Sequence, residues 1–132
     1  MFDVSNPQKP TEVHKLVIGG QGSYSEAMND PKAIMFDMEK GIMAFPVDYQ
    51  NATTNKAGQT TKEEWRGGFV AEFSARGFKT GAKIKMDDYY SATGSRFAYI
   101  DGVLYYVANQ QVVAMDYSNY KILNHIELDF NR

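Results

Sequence analysis

Seven carboxylates, Glu26, Asp30, Asp48, Glu63, Glu64, Asp87 and Asp88, fall in polar stretches of this chain. Oxygen ligands of this kind suit a hard cation such as Ca²⁺. Their spacing does not, because no DxDxDG run occurs, and solvated loop charge is the plainer reading. The segment 19–26, Gly-Gly-Gln-Gly-Ser-Tyr-Ser-Glu, carries three glycines whose backbone N–H groups could cradle an anion. It lacks the GxxxxGK[ST] spacing of a phosphate loop. It reads better as a sharp crossing followed by one helical turn that Ser25 caps. Tyr24 and Glu26 remain contact candidates there. Trp65, the single tryptophan, stands beside Arg66, and an aromatic–Arg pair on a loop is a frequent interface anchor. The competing reading folds Trp65 back onto a sheet edge.

Catalytic chemistry has little to draw on. With no cysteine, a disulfide scaffold, a thiolate zinc site and a Cys nucleophile are all excluded. A Ser nucleophile would need an elbow such as GxSxG and a positioned base. Neither is present, since His14 and His125 both fall on expected outermost strands, away from any cleft. No cofactor is expected. The 14 Lys and Arg against 16 Asp and Glu leave a net charge of -2, which argues against a nucleic-acid partner. No run reaches a membrane span, and Met1 opens onto polar Asp3, Ser5 and Asn6 rather than an export signal.

The elements that carry these residues are strands. At 132 residues the chain has the length of one domain, and 43% hydrophobic with 14% aromatic residues suffices for a core. Short runs rich in β-branched and aromatic residues alternate with Gly, Asp, Asn and Pro, and no helical stripe persists for three turns. The clearest unit covers residues 95–128. Asp101-Gly102 is the two-residue signal for a type I′ hairpin, and turns at 109–110 and 118–119 give four successive antiparallel strands. A second unit covers 32–86, with turns at 38–41 and 76–77. Sliding its second half by 42 positions lays Val70 on Val112, Phe78 on Tyr120, Lys79 on Lys121 and Ile84 on Ile126. A polar insertion at 49–68, taken as a loop, separates its two hairpins. Residues 1–18 make half a unit, with 11–18 as its outermost strand. Pro46, inside an interior strand, marks a bulge or an early strand end.

A period near 40 to 45 residues built of four strands is that of a propeller blade. The chain therefore reads as all-β, with about two and a half four-stranded antiparallel β-propeller blades: a half blade at 1–18 and blades at 32–86 and 95–128. Blades bury their faces only against neighbours. Unpaired edges and uncovered apolar sides therefore predict homo-oligomerisation or strand exchange. Arg76, Lys79, Lys83 and Lys85 guard the outer edge of the second unit. The longer loops, 19–32, 48–68 and 87–94, all emerge on one face of the blades, with the short turn at 109–110. That long-loop face is the expected contact surface for a protein or glycan partner, through Tyr24, Glu26, Trp65, Arg66, Asp87 and Asp88. A closed β-barrel holding an apolar ligand, and a metal-dependent hydrolase on the long-loop face, are the alternatives.

Phe2-Asp3-Val4-Ser5-Asn6-Pro7, Val17-Ile18-Gly19, Gly22-Ser23-Tyr24-Ser25-Glu26-Ala27, Lys32-Ala33-Ile34-Met35-Phe36-Asp37 and Ile100-Asp101-Gly102-Val103-Leu104-Tyr105 together carry a resemblance. Over essentially its whole length the chain resembles the closing portion of prokaryotic secreted proteins with a C-terminal β-propeller distantly related to WD40 repeats. The resemblance implies a propeller, an extracellular or cell-envelope setting, and no assigned reaction.

Overall fold

The computed structural model describes residues 1–86 and 91–128. Ten strands form among them: β1 (Phe2–Asp3), β2 (Thr11–Glu12), β3 (Met35–Asp37), β4 (Ile42–Thr54), β5 (Thr60–Ser74), β6 (Gly77–Met86), β7 (Arg96–Ile100), β8 (Val103–Val107), β9 (Gln111–Asp116) and β10 (Ile122–Glu127). β1 and β2 pair as a ribbon, while β3-β4-β5-β6 and β7-β8-β9-β10 form two four-stranded antiparallel meanders. This is the all-β partial propeller that the sequence predicts, and we call the two meanders the first and second blades.

Local turn chemistry sets the order. At the β7–β8 hairpin Asp101 and Gly102 both take positive φ, 47° and 78°, which a type I′ turn requires. At the β3–β4 turn Gly41 has φ 67°, and its carbonyl accepts the Phe73 N–H at 2.7 Å, so that turn is clasped to the neighbouring strand.

Alternation along the strands gives each blade an inward side. Ile42, Ala44, Val70 and Ile84 of the first blade meet Phe97, Leu104, Tyr106, Val113 and Met115 of the second in one buried cluster. Leu104, Tyr106 and Met115 are almost wholly withdrawn from water. Full burial of such a side chain is worth about 1.5–3 kcal/mol. The blades meet so closely at Gly68 that a Cβ there would collide with the Phe97 ring. A second cluster, Val47, Trp65, Phe69 and Ala71, lies on the opposite side of the first blade, under Leu16 and Ile18 from the N-terminal segment.

Three expectations give way. The outermost strand expected at 11–18 stops at Glu12. Val13 and His14 send their N–H groups to the Met1 carbonyl, so β1 has no further residue to offer. The insertion at 49–68 is mostly strand: β4 and β5 run on together as far as Thr54 and Thr60, leaving only residues 55–59 as the turn. β-branched Thr53, Thr54, Thr60 and Thr61 favour this extended ribbon although neither of its sides is apolar. Pro46 marks neither a bulge nor a strand end, since it pairs in register with Gly68. Its carbonyl accepts the Ser25 hydroxyl at 2.6 Å. The N and C=O of one strand residue point to the same side, so the missing N–H faces Ser25, beyond the end of β3, where no ladder bond is lost.

Candidate functional site

On the long-loop face, the Tyr24 backbone and the Glu26 side chain are joined to the blades, while the Tyr24 side chain is 40% exposed. Tyr24 makes a two-way backbone bridge with Asp48, at 2.9 and 2.8 Å. Ser25 caps a short 3₁₀ turn, Glu26–Met28, by accepting the Ala27 N–H, as the sequence predicts. Glu26 takes a forked ion pair from Arg96 at 2.8 and 3.3 Å and the Gly94 N–H at 2.7 Å. Arg96 also reaches Asp30 at 3.0 Å. Donation by Arg96, then by Gly94, holds the Glu26 carboxyl below the usual range. Asp48 accepts the Ser91 hydroxyl at 2.6 Å and the Ala92 N–H at 2.7 Å. Glu63 pairs with Lys85 at 3.1 Å. The acidic residues thus hold separate segments, and among the described residues no group of three His, Cys, Asp or Glu converges on a metal position. Asp87 and Asp88 lie outside the described residues.

The glycine segment is likewise engaged. The Gly20 N–H donates to the Gln50 carbonyl at 2.7 Å, and the Ser23 N–H to Gly20. Ser23 Oγ bonds both the carbonyl and the N–H of Gln50. The loop is a crossing laid against β4.

Trp65 and Arg66 point to opposite sides of β5. Adjacent strand residues point to opposite sheet sides, and the structure buries Trp65 to 8% exposure while Arg66 is exposed. Trp65 stacks on its cross-strand partner Tyr49, with centroids 5.0 Å apart and planes 17° from parallel. Lys83 and Lys85 lie 5.5 and 5.7 Å from the Tyr49 and Trp65 ring centroids. The indole Nε1 is buried without a hydrogen-bond partner. Of the two readings of Trp65, the structure has the folded-back one, as core of the first blade.

Two concavities lie on the opposite face, among the short turns. One, of about 610 Å³, is bounded by the β3–β4, β5–β6 and β9–β10 turns. The other, of about 770 Å³, is an apolar groove between Met1 and the Phe36, Met38, Met43, Phe73 and Phe78 side chains of the first blade. Two polar links fix the blades here. Asp37, buried at 7%, accepts the Tyr117 hydroxyl at 2.7 Å and the Lys40 N–H at 3.0 Å. These two donors, Lys40 first, hold its carboxyl below the usual range. The Tyr117 phenol is pushed far up, chiefly by burial and then by the bond to Asp37. Its ring is stacked on Tyr99 at 5.1 Å and lies 4.2 Å from the Lys40 ammonium. The second link runs from the Tyr120 hydroxyl to Glu72, 2.9 Å, which also meets Lys79 at 3.3 Å.

Asp37, Tyr117 and Arg96 were not singled out from the sequence. Asp37 opens a four-residue turn and Asp116-Tyr117-Ser118 another, a turn signal that points to capping rather than to a bond between blades. The histidines stay out of both concavities: His125 Nε2 lies 2.6 Å from Gln111, and His14 Nε2 lies 3.1 Å from the Ala75 carbonyl.

Four-stranded meanders packed side on side, each joined to the next by a crossing on one face, define the propeller class. The chain belongs to the family described as the beta propeller domain, whose model matches residues 1–120. No curated protein and no solved structure matches it.

Proposed function

We propose that this chain is a non-catalytic interaction or scaffold module working outside the cell or in its envelope, within secreted prokaryotic proteins whose closing propeller is distantly related to WD40 repeats. The observation that carries the reading is an uncovered blade side. On the second blade, Leu104, Tyr106, Val113 and Met115 face the core. By alternation Ala98, Ile100, Val103, Tyr105, Val107 and Val112 face outward, with Ile100 60% and Val107 42% exposed. At the other end, the groove between Met1 and Phe36 lies where the inner strands of the β1–β2 blade belong. Propeller blades bury such surfaces against further blades, and the two ends differ, so they suit a head-to-tail contact. The occupant in the isolated chain is a second copy of itself. The engagement of Glu26, Asp48, Glu63 and Asp37 in structural bonds supports binding over catalysis.

Light scattering at micromolar concentration tests this. The expected mass is that of a dimer or larger, and Val107→Glu, which places a charge on the outward side, returns it to that of one chain. A monodisperse single chain for the unaltered protein would sink the association reading.

A further inference from the structure

We propose that the 610 Å³ cavity between the short turns binds a small ring-bearing organic anion, a sugar-sized molecule carrying a carboxylate or a phosphate. Its volume lies within the range of about 300–1,000 Å³ usual for small-molecule sites. Three turns from two blades line it, contributing Lys40, Ser74, Arg76, Lys79, Ser118 and Tyr120, with Glu72 as its one carboxylate.

The charge balance selects the ligand. Glu72 is already engaged by Tyr120 and Lys79. Lys40 lies over the Tyr117 ring and makes no ion pair among the described residues, and Arg76 likewise has none. Glu39, next to Lys40, lines the adjoining apolar groove instead. The Asp37 carboxylate acts on Lys40 from a distance, whereas Arg76 remains without an anion among the described residues, in a chain whose net charge is -2. Arg and Lys together suit carboxylate or phosphate oxygens, with Arg able to bind them as a fork.

The remainder of the wall suits a ring. The Tyr120 ring supplies apolar surface, and the Ser74 hydroxyl can meet a ring substituent, while the Ser118 hydroxyl is donated to Asp116. The frame is already set before any ligand arrives. Phe73 clasps Gly41, the Lys40 N–H is held by Asp37, and His14 braces the Ala75 carbonyl beneath the β5–β6 turn. Tyr120 is seated against Gly81, where a Cβ would come within 3.0 Å of its ring.

Isothermal titration of the full chain with glucuronate, glucose 6-phosphate, glucose and inorganic phosphate tests the site. Repeating it on Val107→Glu separates a failure of binding from a failure of association. At least one of the two sugar anions is expected to bind with Kd below about 1 mM, and whichever binds more tightly identifies carboxylate or phosphate as the preferred group. Arg76→Ala and Lys40→Ala are each expected to weaken it about tenfold, and added salt to weaken it further. Both residues are exposed, so circular dichroism should show the fold intact. The proposal is overturned if neither sugar anion binds, if glucose binds as well as they do, if phosphate alone equals glucose 6-phosphate, or if both variants keep full affinity.

Discussion

The two complete blades share one strand order and one core, yet differ sharply in length. In the second blade no strand exceeds six residues, whereas β4 and β5 of the first run to 13 and 15. The extra length lies beyond the contact with the second blade. It begins with the Tyr49–Trp65 stack and its lysines and ends in the polar ribbon around residues 51–63. A blade can therefore be lengthened at its outer end without altering the packing that joins it to its neighbour. Core and arm should then respond very differently to change.

The largest effect should come from the shared core. Tyr106→Ala removes a ring that is 1% exposed between the blades, and chemical denaturation should show a loss of about 3–5 kcal/mol. A loss confined to about 1 kcal/mol would mean that the second blade adds little to the first.

Next comes the polar link. Tyr117→Phe deletes one donor to a buried carboxylate, and the expected cost at neutral pH is about 1–3 kcal/mol. Because the Asp37 carboxyl lies below its ordinary value in the folded chain, its ionised form contributes stability above pH about 4. That contribution disappears as pH falls through the unfolded value toward the folded one. Thermal melts from pH 7 to 3 should therefore show a shallower acid loss in Tyr117→Phe. An identical acid limb would show that the Lys40 N–H alone sets the Asp37 ionisation.

The smallest effect belongs to the arm. Joining residue 51 to residue 63 by a two-residue Asn-Gly turn keeps Tyr49 and Trp65 and should change stability by no more than about 0.5 kcal/mol. A much larger drop would assign the ribbon a packing role that its exposure does not suggest.

What could be read in advance follows from the range of each interaction. The Asp101-Gly102 hairpin, the turn at 38–41 and the Ser25 cap depend on neighbours in sequence, and each appears as expected. The inward alternation of Leu104 and Tyr106 or of Val113 and Met115 is equally local. The arm escaped because strand periodicity announces itself through one buried side, and residues 51–54 and 60–63 bury neither. Trp65 is folded back, one of the two readings its sequence allowed, but through a register with Tyr49 that the loop reading denied. The Asp37–Tyr117 and Glu26–Arg96 bonds span 80 and 70 residues, and no periodicity reports a contact of that kind. For the same reason the concave surface among the short turns was out of reach. Each of its turns is unremarkable alone, and only the juxtaposition of two blades gathers Lys40, Arg76 and Tyr120.

The seclusion of the lone indole has a practical corollary. Excited in an apolar setting, it should emit at shorter wavelengths than free tryptophan and redden only when its own sheet opens. Tyrosine dichroism from the stacked Tyr99 and Tyr117 reports separately on the junction. The molecule thus carries two optical markers in different places, and melting curves that fail to coincide would expose stepwise disassembly without any added label.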